Sequence, residues 1–480
     1  MKRYPLIAEV STSLTAAEAF ELFYQRPFSF FLDSGMDHQR LGRYSFIGSD
    51  PFLILKSRGN HIILLSPKES ESKRNNPFDI LDELLNTYTL DSYPSPTPFN
   101  SGVVGYFSYD LCHFIEHLPS TAIDDLQLPE CYLGFYDLVL AFDHLEGKTF
   151  ITSCGFPELE EEKRLKRASE RLREARNRLL LPPSSLIINP TARRSNITAG
   201  ITLKSNFTHQ EYLKAVEAAR EYIAAGDIFQ VNLSQRFEAD SPFSPYQLYQ
   251  HLRNINPAPF AAYLNFDEVT VLSASPERFL KVQGDLVETR PMKGTRSRGS
   301  SAAEDEALAR ELQNSLKDKA ENVMIVDLER NDLGRVCRFG TVKVRELWTL
   351  EKYATVFQLT STVEGRLRQD KDRIDLLKAC FPGGSITGAP KVRAMEIIDE
   401  LEPTRRGIYT GSIGYLSFSG EMDLNIVIRT ILVKDGKVYF QVGGGIVYDS
   451  DPEGEYQETL DKAKALFQAL GVSPELEVVA

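Results

Sequence analysis

The sequence contains few cysteines, and none of them is placed to form a pair. Among 480 residues there are five, which are scattered and show neither a CxxC motif nor a Cys/His ligand spacing: Cys112, Cys131, Cys154, Cys337 and Cys380. An odd number without conserved-looking spacing excludes a disulfide framework and a cysteine-based zinc site. It indicates free thiols in a reducing compartment.

Long apolar runs and an excess of positive charge are also lacking. No uninterrupted apolar stretch approaches the ~18 residues that a membrane span needs, and Glu9 follows the opening Met1-Lys2-Arg3 before a signal-peptide core could develop. The 67 acidic and 55 basic residues give a net charge of −12, which repels phosphate backbones and anionic membranes. We therefore expect a cytoplasmic protein that binds neither nucleic acid nor a membrane.

A nucleotide-binding loop is lacking as well, although two glycine runs stand in the second half. In residues 383–391, Ala389 and Pro390 separate the second glycine from the lysine, whereas a P-loop needs Lys and then Ser/Thr directly after that glycine. Residues 443–447 do not match GxGxxG either. Such glycines are most often turns, but at the end of a strand they can offer backbone N–H groups to an anion, so the two runs suggest an anionic ligand.

The sequence divides into three regions. With 42% hydrophobic and 25% charged residues it has a globular composition. Residues 1–155 alternate short apolar runs with turn residues, which predicts strands. Residues 156–204 read as a charged surface helix and a linker. Residues 205–475 open with Thr208 as a helix cap and then carry most Gly, Pro and polar motifs, so the chemistry is expected there.

Two pairs of acidic residues have helical spacing. Asp318 and Glu321 lie three apart, as do Glu455 and Glu458, so each pair shares one helix face. A solvated helix surface is the commoner explanation. Oxygen ligands from two helices, completed by water and a substrate carboxylate, would however suit magnesium.

Lys293 stands between an apolar, strand-like run and a glycine turn. A merely solubilising charge is unusual at such a place. From the residues alone, a surface lysine, a carboxylate anchor and a nucleophile all remain possible, in that order.

Eight ordered segments carry a recognisable pattern: residues 226–234, 275–279, 290–296, 326–332, 388–391, 428–430, 443–447 and 458–462. Together they resemble the chorismate-binding enzymes, a family that includes anthranilate, aminodeoxychorismate, isochorismate and salicylate synthases. Residues 32–34 and 43–45 resemble the variable first half of the family, so the resemblance covers nearly the whole chain.

The resemblance implies an α+β fold in which two β-sheets pack into a sandwich with helices outside, around a cleft for chorismate and one Mg²⁺ ion. It implies Glu321 and Glu458 as direct magnesium ligands, supported by Asp318 and Glu455. Asp318 replaces the more usual Glu, and its shorter arm suggests a water-bridged role.

The resemblance also implies a substrate site. Arg429 would clamp a carboxylate with its planar fork, assisted by Tyr409, Lys462 and the backbone N–H of Gly443. The other substrate-binding positions are Gln230, Gln358, Thr387 and Gly444. Glu277 matches the general acid that protonates the departing C4 hydroxyl, for which we expect a pKa raised by burial and nearby carboxylates.

Three positions discriminate among members of the family. Water-using members resemble this chain but carry a lysine where it has Gln230, and a glutamine cannot take a proton at neutral pH, so ammonia is the expected nucleophile. Gln358 replaces a histidine that could exchange protons during pyruvate elimination. Pro-Met-Lys-Gly-Thr at 291–295 is similar to the aminodeoxychorismate synthases with a lysine nucleophile, which would be Lys293, kept neutral by desolvation and by magnesium with Arg290 and Arg296.

The resemblance therefore predicts component I of aminodeoxychorismate synthase. No cysteine stands in a Gly-x-Cys-x-Gly elbow, so a separate glutamine amidotransferase subunit is expected to supply ammonia. Anthranilate synthase component I is the close alternative, because residues 256–260 and 32–34 resemble a tryptophan-binding region. Ala258, Ala261 and Ala262 depart from that pattern, so we expect a structural pocket. A non-catalytic ligand-binding relative is the remote alternative.

Overall fold

The computed structural model of the chain describes residues 2–180, 201–353 and 356–472. The strands are β1 Leu6–Glu9, β2 Phe30–Asp33, β3 Tyr44–Gly48, β4 Leu53–Arg58, β5 His61–Leu65, β6 Ser70–Arg74, β7 Gly102–Phe107, β8 Cys131–Tyr136, β9 Leu138–Asp143, β10 Lys148–Ser153, β11 Lys204–Ser205, β12 Gln230–Asp240, β13 Phe260–Asn265, β14 Thr270–Ser275, β15 Arg278–Gln283, β16 Leu286–Thr289, β17 Met292–Ser297, β18 Lys343–Lys352, β19 Val356–Arg366, β20 Gly388–Ala389, β21 Ser412–Ser417, β22 Met422–Asn425, β23 Thr430–Lys434 and β24 Lys437–Ile446. The helices are α1 Ala16–Phe20, α2 Pro77–Thr87, α3 Glu161–Leu179, α4 His209–Ala225, α5 Pro245–Ile255, α6 Ala302–Asn314, α7 Leu316–Gly334, α8 Arg373–Cys380, α9 Lys391–Leu401 and α10 Pro452–Leu470.

The strands form two 12-stranded sheets. The first has the order β1-β10-β9-β3-β2-β13-β14-β23-β24-β12-β11, with β20 beside β12. The second has the order β17-β19-β16-β15-β22-β21-β7-β8-β4-β5-β6, with β18 beside β19. Each sheet thus takes five strands from residues 1–155 and seven from residues 204–475. The halves join at β2–β13 in the first sheet and at β7–β21 in the second.

Strands such as β9 are continuous apolar runs because both of their faces are buried. All six residues of β9 are buried, and successive side chains of a strand point to opposite faces. Val139 and Ala141 pack between the two sheets with residues such as Val104 of β7. Leu138 and Leu140 face the other way, into a core that the first sheet shares with α1, α5 and α10. The predicted α+β fold with two packed sheets and outer helices is confirmed.

Local predictions agree with the elements formed. The charged helix is α3, while residues 181–200 of the predicted linker lie outside the described residues. Thr208 caps α4 in a capping box with Glu211. All five cysteines lie in the described ranges, buried and unpaired. Among the described helices, none is long and apolar enough to cross a bilayer.

Candidate active site

A cavity of about 550 Å³ gathers most of the predicted site residues. Both sheets contribute to its wall, together with α7 and α10. The predicted residues that line it are Glu277, Lys293, Asp318, Glu321, Gln358, Tyr409, Arg429, Gly443, Glu455, Glu458 and Lys462. Segments that lie up to about 190 positions apart in the sequence therefore share one site.

The other three predicted residues stand in the wall behind this lining. Gln230 is fully buried at the start of β12. Gly444 lies where an added Cβ would come within 3.0 Å of Glu455 Oε2. Thr387 is fully buried, and its hydroxyl donates to the carbonyl of Gly383 at 2.9 Å. The neighbouring Ser385 lines the cavity instead, a contribution that the sequence reasoning missed.

Glu277 is a buried carboxyl at the start of β15. Its Oε1 accepts the backbone N–H of Met292 at 3.3 Å, and its own carbonyl accepts the N–H of Ile426 at 3.0 Å. Burial raises the pKa of Glu277 to about 7, against the opposing influence of Ser385 and the Met292 N–H. Of the two causes expected from the sequence, burial is the principal one, and nearby carboxylates are not among the main causes.

Lys293 lies on β17 where the register shifts across Gly294, which has a φ of 78°. A Cβ added to Gly445 would lie 2.9 Å from Lys293 Nζ and 2.9 Å from Gln230 Nε2. The amine therefore faces bare backbone beside the Gln230 amide. Burial lowers the pKa of Lys293, with Glu321 opposing and Lys462 reinforcing the effect.

The cationic neighbour of Lys293 differs from the expected one. Arg290 pairs with Glu351, and Arg296 with Glu311 and Asp318. Both guanidinium groups are thus neutralised by carboxylates. The expectation that these two arginines keep Lys293 neutral is wrong, because Lys462 is the nearby cation that lowers its pKa.

Carboxylates of α10 face the glycine run of β24, whereas Asp318 of α7 lies against Gly294 of β17. Glu455 Oε1 accepts the Ser450 hydroxyl at 2.6 Å, whereas its buried Oε2 has no partner among the described residues. Glu458 Oε1 lies 2.6 Å from Lys462 Nζ. Burial raises the pKa of Glu321 and Glu455, and the Lys462 charge lowers that of Glu458.

These oxygens fit a hard cation only in part. Carboxylates from two helices and a partnerless oxygen are suitable for magnesium. However, within the ranges that the structure describes, no group of three or more His, Cys, Asp or Glu side chains is close enough to hold a metal unaided. Asp318 is additionally engaged by Arg296 at 3.1 Å. Water and a ligand carboxylate would have to complete the coordination.

A second set of side chains in the cavity offers groups for a carboxylate. Arg429 has a φ of 53°, in the left-handed region that is unusual for a residue with a side chain. Burial lowers the pKa of Arg429 and raises that of Tyr409 to about 12. Lys462 Nζ donates to the Gly443 carbonyl at 2.8 Å. An anion here would meet a guanidinium, a phenol and an ammonium group.

Sequence comparison adds the decisive observation. A family model described as chorismate binding enzyme matches residues 29–468. This chain belongs to the chorismate-binding enzyme family. It is accordingly an enzyme that uses chorismate.

Relatives within the chorismate-binding family carry two different names. The chain is 40% identical over 474 residues to anthranilate synthase component 1 of Acetivibrio thermocellus, covering 98% of this chain and 96% of that protein. It is also 40% identical over 441 residues to aminodeoxychorismate synthase component 1 of Bacillus subtilis strain 168, covering 92% of each.

Solved structures agree with the chorismate-binding fold. Anthranilate synthase component I from Streptococcus pneumoniae TIGR4 superimposes with a TM-score of 0.76 at 34% identity, covering 88% of this chain and 91% of that one. The menaquinone-specific isochorismate synthase MenF from Escherichia coli, at 18% identity and a TM-score of 0.70, shows the shared fold alone.

A second cavity of about 470 Å³ lies in the region that resembles a tryptophan site. Residues 32–34 and 259–262 line it, as does Arg278. Asp33 pairs with Arg253 and accepts the Tyr249 hydroxyl at 3.1 Å. This carboxylate is therefore engaged within the protein, and the expected structural role of the cavity stays a prediction.

Proposed function

We propose that this chorismate-using enzyme is component I of an aminodeoxychorismate synthase, which converts chorismate and ammonia to 4-amino-4-deoxychorismate on the route to p-aminobenzoate and folate. The observation that carries the proposal is Lys293. Its amine lies in the cavity against bare backbone, and burial lowers its pKa. A lysine that loses its proton readily is suited to act as a nucleophile.

Glu277 and Lys293 suit a two-step substitution. The neutral amine of Lys293 attacks C2 of chorismate as the C4–O bond breaks, and Glu277 gives its proton to the leaving hydroxide, releasing water. Ammonia then forms a bond to C4, the C2–N bond breaks, and Lys293 leaves as a neutral amine. The Glu277 carboxylate takes the surplus proton from the new amino group. A pKa of about 7 lets Glu277 serve in both directions near neutral pH.

Two sets of side chains in the cavity, which meet at the Lys462–Glu458 ion pair, suit the two carboxylates of chorismate. Arg429, Tyr409 and Lys462 would hold the enolpyruvyl carboxylate. The ring carboxylate would face Glu321 and Glu458, and magnesium would supply the counter-charge between these anions. Bound there with help from Asp318 and Glu455, the ion would supply positive charge and hold the ring in place.

Two buried glutamines support ammonia as the nucleophile and retention of the enolpyruvyl group. Gln230 and Gln358 stand near Lys293, and neither side chain can act as a base near neutral pH. Gln358 Nε2 donates weakly to the Thr295 hydroxyl at 3.5 Å, and its Oε1 has no partner in the described part of the chain. We infer that ammonia comes from a glutamine amidotransferase partner, as the component 1 names of the relatives suggest.

Anthranilate synthase component I is the second candidate. Relatives of that name are as similar as those named aminodeoxychorismate synthase, at 40% identity. In this case the product would be anthranilate, with release of pyruvate. A non-catalytic relative is a poor third candidate, because both acidic pairs and Lys293 line one cavity.

The deciding experiment identifies the product. The purified protein is incubated with chorismate, magnesium chloride and ammonium chloride at mildly alkaline pH, and products are identified by mass spectrometry. We expect an aminated product that keeps the enolpyruvyl group and that an aminodeoxychorismate lyase converts to p-aminobenzoate. Lys293→Ala should abolish it, whereas Lys281→Ala, in the second cavity, should not. Anthranilate and pyruvate would instead establish the second candidate.

A further inference from the structure

Four charged side chains meet behind β17, outside the cavity. Arg290 Nη2 donates to Glu351 Oε1 at 2.5 Å, and Arg290 Nη1 donates to Glu346 Oε2 at 3.2 Å. Arg40, from the N-terminal region, lies 3.2 Å from Glu346 and 3.3 Å from Glu351. We call Arg40, Arg290, Glu346 and Glu351 the charged cluster. None of the four lines the 550 Å³ cavity.

The inner pair of the charged cluster is buried and held in one orientation. Arg290 is 4% exposed and Glu351 is 9% exposed. The second oxygen of Glu351 accepts the Tyr353 hydroxyl at 2.7 Å and the Thr360 hydroxyl at 3.1 Å. Ionic hydrogen bonds of this kind are shorter and stronger than neutral ones. With both oxygens engaged, Glu351 has little freedom to rotate.

The charged cluster touches the segments that carry the two reacting side chains. Arg290 stands three residues before Lys293, and two before Met292, whose N–H donates to Glu277. The Tyr353 hydroxyl that binds Glu351 also lies 3.5 Å from the carbonyl of Pro276, the residue before Glu277. Glu351 thus binds Arg290 directly, and the Tyr353 hydroxyl that donates to Glu351 contacts the segment before Glu277.

We propose that Glu351 and Arg290 are positioning residues, which hold Glu277 and Lys293 in the relative geometry that the chemical step needs. This inference rests on the proposed function. The groups that would bind chorismate, Arg429 and Tyr409, are carried by other segments of the chain. Loosening the charged cluster therefore lowers kcat and leaves KM for chorismate nearly unchanged, because misplacement of reacting groups affects the transition state more than binding.

Glu351→Gln tests this role, because it keeps the shape of the side chain but removes its charge. With chorismate, magnesium and ammonium chloride, we expect kcat to fall about 10- to 100-fold and KM to change less than about twofold. Arg345→Ala is the matched control, since it removes the half-exposed partner of Glu364 from the same two strands. It should leave both parameters within about twofold.

Tyr353→Phe provides a second variant that keeps the buried ion pair. It removes only the hydroxyl that donates to Glu351 and contacts the Pro276 carbonyl, so the variant should fold like the wild type and lower kcat about 3- to 10-fold with KM unchanged. The inference is overturned if the wild type is active but kcat in both variants stays within about twofold of the wild-type value, as expected for the control. It is equally overturned if KM rises as much as kcat falls.

Hydrogen exchange followed by mass spectrometry separates this inference from the proposed function. In Glu351→Gln, amides in residues 289–295 should exchange about tenfold faster than in the wild type, while those of β21 should not change. If the wild-type enzyme makes no aminated product, the proposed function fails and the exchange result still decides the positioning role. Unchanged exchange in residues 289–295 would refute it.

Discussion

Replacing Glu277 by glutamine tests two consequences of burying this carboxyl in the cavity. Glutamine has nearly the same size, and its oxygen can still accept the Met292 N–H. It has no proton to give at neutral pH. Glu277→Gln should therefore change the chemistry and the pH dependence of the protein while leaving the cavity intact.

For activity, the expected loss is that of a general acid. A positioned acid contributes about 10²- to 10⁴-fold, so kcat should fall by that factor with little change in KM. In the wild type, the rate should fall as pH rises through about 7, where Glu277 loses its proton. The rate should rise with pH in the range where the Lys293 amine loses its proton. The Glu277→Gln variant should keep this rise and lose the fall at higher pH.

For stability, the sign follows from the raised pKa. An ionised Glu277 is disfavoured in the folded state, so the wild type loses stability as pH rises from the ordinary pKa of 4.5 through about 7. A difference of about 2.5 pH units at about 1.4 kcal/mol each gives a ceiling of roughly 3 kcal/mol. Glu277→Gln should therefore stabilise the protein at pH 8 and have much less effect at pH 5.

Steady-state kinetics from pH 6 to 9 and urea unfolding at pH 5 and pH 8 measure both effects. An unchanged kcat, or an alkaline limb that persists in the variant, would refute Glu277 as the acid. A variant that gains no stability at pH 8 relative to pH 5 would refute the raised pKa.

Three other substitutions test separate parts of the structure. Gly444→Ala places a Cβ 3.0 Å from Glu455 Oε2. It should raise the magnesium concentration for half-maximal activity about tenfold, within the range for perturbed metal sites. An unchanged magnesium requirement would argue against a metal there. Burial raises the pKa of Glu329 to about 8, so the folded protein loses stability as pH rises from 4.5 to about 8. Glu329→Gln should therefore stabilise the protein at pH 8 by a few kcal/mol, measured by urea unfolding. The control Asp327→Asn, on the exposed face of α7, should not. Arg406 donates to the carbonyls of Ile386 and Asn232 at 2.9 and 2.7 Å, so Arg406→Lys should raise KM for chorismate about tenfold. Initial rates measure this effect, and a change in kcat alone would contradict it.

Residue patterns predict some parts of this site better than others. The acidic pairs could be placed because helical spacing fixes which side chains share a face, and Lys293 because a charge beside a glycine turn stands out. The sequence could not assign the cavity-facing position to Ser385 rather than Thr387, because this depends on how an irregular loop turns. It also could not show that Arg290 is neutralised by Glu351, since that pairing joins strands from distant parts of the chain.

The strand order of the sheets was equally beyond the sequence. Alternating and continuous apolar runs identify strands such as β9, but which strand becomes a neighbour is decided by long-range packing. The resemblance to a family carried the prediction of two packed sheets, which residue patterns alone did not provide.

The two seams between the halves of the chain have a consequence for biosynthesis. Before residues 205–475 have been synthesised, β2 and β7 lack their partners β13 and β21 and expose apolar strand edges, which are templates for aggregation. Neither half can complete a sheet until the other has been synthesised. Folding should therefore be slow and largely post-translational, because pairing between distant strands delays the productive steps. A chaperone would be needed most while only the N-terminal half has been synthesised.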